Sequence, residues 1–148
     1  MTTTQGPRAR PHPRIDALSV ICSDLGRSVA FYRALGCDLP EPDGTGHLAC
    51  DLGGVSLMLD SEEVLASFAP DEPVPQAPNR VTLAARCATP EAVDALHDEL
   101  VPMGRGSLMA PFDAFWGQRY AVVLDPDGSS VDLYCDQPGA PVLQAPPT

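Results

Sequence analysis

Phe115-Trp116-Gly117-Gln118-Arg119-Tyr120-Ala121-Val122-Val123-Leu124-Asp125-Pro126-Asp127-Gly128-Ser129-Ser130-Val131-Asp132-Leu133-Tyr134 is the stretch that decides the fold. Apolar and β-branched residues run from Tyr120 to Leu124, turn chemistry fills Asp125 to Gly128, and alternation resumes from Ser130 to Tyr134, a β-hairpin pattern. Pro126 presets φ at the second turn position and Gly128 is free to take φ > 0, so the reversal is local. An aromatic pair, Phe115 and Trp116, lies at one end of this hairpin, and a carboxylate, Asp132, lies in its second strand.

Upstream, Ile15 to Cys22 alternates as a strand, and Asp24 caps a helix that runs through Phe31 and Tyr32 to Leu35 and stops at Gly36. Two short strands follow, His47 to Asp51 and Val55 to Asp60, turned by Gly53-Gly54. Ser61 caps a short helix, Glu62 to Phe68, and then Pro70, Pro73, Pro75 and Pro78 break any regular element. Val81 to Cys87 reads as a strand, and Thr89 with Pro90 opens a helix carrying Val93, Leu96 and Leu100 on one face, ended by Pro102 and Gly104. A strand near Leu108 and an aromatic loop, Phe112 to Trp116, lead into the hairpin. The expected organisation is a flexible arm at 1–14, a first module at 15–60, a Pro-rich linker with a short helix at 61–79, a second module at 80–135 and a Pro-rich tail at 136–148.

The halves repeat. Placing Cys22 on Cys87 gives an offset of 87 − 22 = 65, which sets cap Asp24 on Thr89, Phe31 on Leu96 and Leu35 on Leu100. Placing Gly54 on Gly128 gives 128 − 54 = 74, which sets Leu57 on Val131, Met58 on Asp132 and Leu59 on Leu133. Each half is therefore expected to be β-α-β-β-β.

Composition narrows the function. A formal net charge of −11 over 148 residues opposes nucleic acid and anionic membranes and favours a cationic small ligand, unless the acidity serves only solubility. No apolar run approaches the ~20 residues that cross a bilayer, and the N-terminal stretch has no apolar core of a signal peptide, so a cytoplasmic protein is expected. Five cysteines without a Cys-x-x-Cys pair indicate neither a disulfide framework nor a zinc site.

Ser23-Asp24-Leu25 through Ala30-Phe31-Tyr32 to Leu35-Gly36, and Trp116-Gly117-Gln118-Arg119 through Asp125-Pro126-Asp127-Gly128 to Val131-Asp132-Leu133, resemble the vicinal oxygen chelate superfamily, which includes glyoxalase I, extradiol dioxygenases and bleomycin-resistance proteins. The resemblance covers Ile15 to Tyr134. It implies an α+β fold of two tandem βαβββ modules whose mixed sheets curve into a cup, usually in a homodimer. Fold alone does not choose among the family's chemistries.

Alternation separates two strand faces. Leu57, Leu59, Val131 and Leu133 belong to the helix side, whereas Met58, Arg86, Asp132 and Tyr134 belong to the inner side with small and polar neighbours. Metal-dependent members of the family place ligands at positions that carry over to Ala17, Met58, Thr82 and Asp132. Only Asp132 suits a hard divalent ion, so neither a metal nor another cofactor is expected. Asp132 is left to pair with a cationic ligand group, with Arg86, or within the sheet. Of the histidines, His97 reads as solvated on its helix and His47 as a strand residue without a partner nearby in sequence. Phe112, Phe115 and Trp116 are candidates to stack on a planar ligand, or to close the cup or a dimer contact. The expected ligand-binding set is Phe112, Phe115, Trp116, Gln118, Met58, Arg86, Asp132, Tyr134 and His47, with no catalytic residue assigned. The leading expectation is a small-molecule-binding protein like those that sequester antibiotics; the alternative is a glyoxalase- or dioxygenase-type enzyme with a displaced metal site or none.

Overall fold

The structure is a computed structural model and describes residues 15, 17–68, 70–71, 73–74 and 81–138. The arm at 1–14, much of the Pro-rich linker and the tail from 139 onward lie outside the described residues. Strand β1 (Ala17–Cys22), helix α1 (Leu25–Leu35), β2 (His47–Asp51) and β3 (Ser56–Ser61) form the first module, and α2 (Glu62–Phe68) follows it. The second module is β4 (Leu83–Arg86), α3 (Pro90–Leu100), a 3-10 turn at Val101–Met103, β5 (Gly106–Asp113), β6 (Gln118–Leu124) and β7 (Ser130–Asp136).

Both long helices start and stop where their end residues dictate. Asp24 accepts a hydrogen bond from the Arg27 N–H and Thr89 accepts one from Ala92, satisfying amides that have no partner inside the helix. Gly36 closes α1 at φ 112°, a left-handed conformation that a Cβ would strain. The offset of 65 carries Leu25–Leu35 onto Pro90–Leu100 (25 + 65 = 90; 35 + 65 = 100), so the repeat is physical.

The sheets repeat the register as well. In the first, ordered β1-β3-β2, β1 runs parallel to β3 with Leu18 opposite Leu57. In the second, ordered β4-β7-β6-β5, β4 runs parallel to β7 with Leu83 opposite Val131, the same pairing shifted by 65 and 74. The α+β class and paired modules are as expected, but the first sheet has three strands where four were expected. Residues 37–46 contain Pro40 and Pro42, which have no N–H to donate to a ladder, and Gly44 and Gly46 at positive φ, so no strand forms there.

The core lies between the sheets and their helices. Val29, Phe31 and Tyr32 of α1 and Val93 and Leu100 of α3 bury against Leu57, Leu59, Ala121, Val123, Val131 and Leu133. Burial of such side chains supplies roughly 1.5–3 kcal/mol each. His97, expected to be solvated, is buried instead: Ser107 of β5 lies 2.7 Å from its Nε2, because α3 turns that face onto the sheet. No helix among the described residues is long and apolar enough to cross a membrane.

Two polar links join the modules. The Tyr32 hydroxyl donates to the buried Asp125 carboxylate at 2.8 Å, and the other Asp125 oxygen accepts the N–H groups of Asp127 and Ser129. Ser23, just before α1, donates its N–H and hydroxyl to Asp127. Tyr32→Phe leaves a fully buried carboxylate one donor short and is expected to cost about 1–3 kcal/mol in urea unfolding, against a change within about 0.5 kcal/mol for an exposed control such as Arg27→Gln.

Candidate functional site

Pairing places Gln118, Tyr120 and Val122 of β6, Ser130, Asp132, Tyr134 and Asp136 of β7, and Ala84 and Arg86 of β4 on one face of the second sheet, opposite the face packed on α3. Phe112 of β5, opposite Tyr120, extends this face. Phe112 thus belongs to a strand, not to the aromatic loop expected from the sequence.

The polar groups on this face hold one another. Arg86 donates to Asp136 at 2.8 Å and lies 4.8 Å above the Tyr134 ring centroid. The Gln118 amide donates to the second Asp136 oxygen at 2.9 Å, and the Gln118 Oε1 accepts the Trp116 indole N–H at 2.9 Å. Asp132 accepts the Tyr120 hydroxyl, and the Thr82 and Ser130 hydroxyls share a hydrogen bond of 2.7 Å. Asp132 therefore pairs within the sheet and not with Arg86, whose strand neighbour Tyr134 directs it along the sheet to Asp136.

Charge follows from these bonds. The hydrogen bonds from Arg86 and then Gln118 hold the Asp136 carboxyl below the usual carboxylate range. Burial, followed by the bonded Asp132 carboxylate, pushes the Tyr120 hydroxyl up to about 12, so it remains a donor at neutral pH.

The rings of Phe112, Trp116 and Tyr120 meet edge to face, with centroids 5.4–6.1 Å apart and interplanar angles of 73–88°. Rings this close fill the space among themselves, so they present outer faces for stacking instead of an open cage for a cation. Phe115 is 92% exposed and touches Trp116 edge-on at 5.0 Å.

Met58 and His47 occupy the first sheet and do not join this group. His47 Nδ1 lies 2.6 Å from Asp60 Oδ1, and Ser19 donates to Asp60 Oδ2 at 2.5 Å. Sequence reasoning missed Asp60, Ser19, Tyr120 and Asp136. The signal was hairpin arithmetic: a two-residue turn at Gly53-Gly54 sets residues summing to 107 opposite each other, hence His47 opposite Asp60. An open depression of about 550 Å³ lined by Leu25, Thr45, Ser61 and Val64 lies in the first module and shares no residue with the second-sheet face.

The four positions at which the resemblance looks for metal ligands hold an alkyl group at Ala17, a thioether at Met58, a Thr82 hydroxyl bonded to Ser130 and an Asp132 carboxylate bonded to Tyr120. Ala17 and Met58 lie on one sheet, Thr82 and Asp132 on or beside the other. This donor set does not fit a divalent ion that needs about three protein ligands.

The Glyoxalase/Bleomycin resistance protein/Dioxygenase superfamily model matches residues 14–133. A glyoxalase-related enzyme from Fulvimarina pelagi is similar in structure at a TM-score of 0.72 and 20% identity, covering 90% of this chain and 99% of that one. A glyoxalase/bleomycin resistance protein/dioxygenase from Nocardioides gives 0.67 and 22%, covering 94% and 93%. A lactoylglutathione lyase from Agrobacterium tumefaciens gives 0.59 and 18%, covering 85% and 96%. No curated protein matches.

Trp116 is the single tryptophan and reports the Arg86-Asp136-Gln118 chain. With the Asp136 carboxyl depressed, its protonation and the attached fluorescence change are expected only below the ordinary carboxylate range. Arg86→Ala removes the main cause of the depression, so an acid titration of that variant should show the change at higher pH.

Proposed function

The chain belongs to the Glyoxalase/Bleomycin resistance protein/Dioxygenase superfamily, and we propose that it is a metal-independent small-molecule-binding protein, resembling the bleomycin-resistance group, that sequesters a planar aromatic or cationic compound. The observation that carries this reading is the second-sheet face, where a prepacked ring cluster adjoins a polar chain whose members already hold one another. A flat ligand stacks on Trp116 and Phe115 without the entropic cost of ordering Trp116, which its Gln118 bond already holds. The net charge of −11 favours a cationic ligand over an anionic one. Metal independence is supported by the donor set at Ala17, Met58, Thr82 and Asp132, which does not fit a divalent ion.

The reading extends to a cytoplasmic homodimer. Leu108 and Met109 on edge strand β5 and Phe115 beside it are 63%, 47% and 92% exposed, which supports an apolar contact with a second copy. All five cysteines are free thiols, which suits a reducing compartment. An enzyme, whether lyase, isomerase or oxygenase, is the second reading, and the His47–Asp60 pair is the observation that favours it.

Calorimetric and Trp-fluorescence titrations against a panel of intercalating dyes and glycopeptide antibiotics are expected to give at least one Kd below ~100 μM, weakened about tenfold by Trp116→Ala. Failure of the whole panel to bind tighter than ~100 μM contradicts sequestration. Elemental analysis of the purified protein should find no stoichiometric Fe, Mn, Ni or Zn; a stoichiometric metal lost in Asp132→Asn would favour the enzyme.

A further inference from the structure

The pairing of β1, β3 and β2 lays out the inner face of the first sheet as three rows: Ile21, Asp60 and His47; Ser19, Met58 and Ala49; Ala17, Ser56 and Asp51. The first row holds the chemistry. Both Asp60 oxygens are engaged, Oδ1 by His47 Nδ1 at 2.6 Å and Oδ2 by the Ser19 hydroxyl at 2.5 Å. A carboxylate on Nδ1 fixes the tautomer in which Nδ1 carries the hydrogen and Nε2 the lone pair.

The two histidines of the described residues differ in what remains available. His97 is buried, with Asp98 3.5 Å from Nδ1 and Ser107 2.7 Å from Nε2, so it serves the packing of α3. The His47 side chain is 47% exposed, and its Nε2 has no hydrogen-bond partner among the described residues. Ser19 is turned to the carboxylate and not to the imidazole, so the order of a nucleophilic triad is absent and the available group is the Nε2 base.

We propose that His47, oriented by Asp60 and Ser19, is a proton-accepting site for a neutral apolar molecule bearing one weakly acidic hydroxyl. The substrate class follows from the neighbours. Ile21, Met58 and Ala49 give the dyad an apolar floor, which suits a neutral apolar ligand. In the step, the O–H bond of the ligand breaks, its proton forms a bond to Nε2, and the resulting phenolate or enolate lies against an imidazolium whose charge Asp60 balances. The site is separate from the second-sheet face and does not rest on the sequestration reading.

The probe is p-nitrophenol, buffered below its own pKa, with the absorbance band of its phenolate as the readout. Wild-type protein is expected to raise the bound phenolate fraction about tenfold over buffer, equivalent to one unit of pKa. His47→Gln should abolish the rise, Asp60→Asn and Ser19→Ala should reduce it, and Arg27→Gln, at an exposed position of α1, should leave it intact. Nitrogen NMR of the imidazole checks the same claim in the unaltered fold, where the neutral ring should carry its proton on Nδ1 beside Asp60. A phenolate rise that survives His47→Gln, a rise lost in Arg27→Gln, no rise with wild type, or an Nε2-protonated neutral tautomer each overturns the proposal.

Discussion

The hydrogen bond from Tyr32 to Asp125 is the constraint on which the two modules depend. Asp125 follows the last residue of β6 and begins the turn into β7, and it is removed from water altogether. A polar side chain buried in that position requires partners, and it has three: the Tyr32 hydroxyl and the amides of Asp127 and Ser129. Burial and the nearby carboxylate drive the ionisation of Tyr32 far upward, so it stays a donor at neutral pH. Asp125 therefore shapes the β6–β7 turn through the amides of Asp127 and Ser129, and Tyr32 of the first helix ties that turn to the first module. Ser23 on Asp127 adds a second tether two residues along.

From that turn the candidate site follows by register. Tyr120 lies opposite Tyr134 and Val122 opposite Asp132, which brings the Tyr120 hydroxyl diagonally onto Asp132, while Gln118 lies opposite Asp136. The bonds among Arg86, Asp136, Gln118, Tyr120 and Asp132 thus join strand residues alone, and the loop adds Trp116 to them. Arg119, on the opposite face, anchors the same strand to α3 through two hydrogen bonds to Asp94 at 2.8 and 3.0 Å and reaches Asp113 of β5. Strand β6 is therefore held on both faces, and Tyr120, its member of the aromatic cluster, is fixed in place.

Much of this was legible in the sequence because the chain states it twice. The helix caps Asp24 and Thr89, the stop at Gly36 and the offsets of 65 and 74 are local chemistry, and the structure keeps both the helix boundaries and the strand register that they imply. The missing strand was legible in part, since Pro40 and Pro42 argue against it where the repeat argues for it. The pairing of side chains was harder to read. Alternation assigns Arg86, Asp132 and Asp136 to faces, but which acid takes the arginine depends on side-chain reach across strands 50 residues apart in sequence. His97 was misread because charged neighbours Asp98 and Glu99 suggested a wet face, whereas helix rotation turns His97 itself onto β5.

The central claim is that the face built by β4, β6 and β7 with Phe112, Phe115 and Trp116 receives a flat small molecule. The most direct measurement is a two-dimensional NMR titration of the protein with a planar aromatic cation, following the indole N–H of Trp116 and the side-chain amide of Gln118. Saturable shifts of both signals together are expected, with Arg86 and Asp136 moving and the buried Tyr32–Asp125 region still. Saturable shifts confined to the depression beside Thr45 and Val64, or none at all, would contradict the claim.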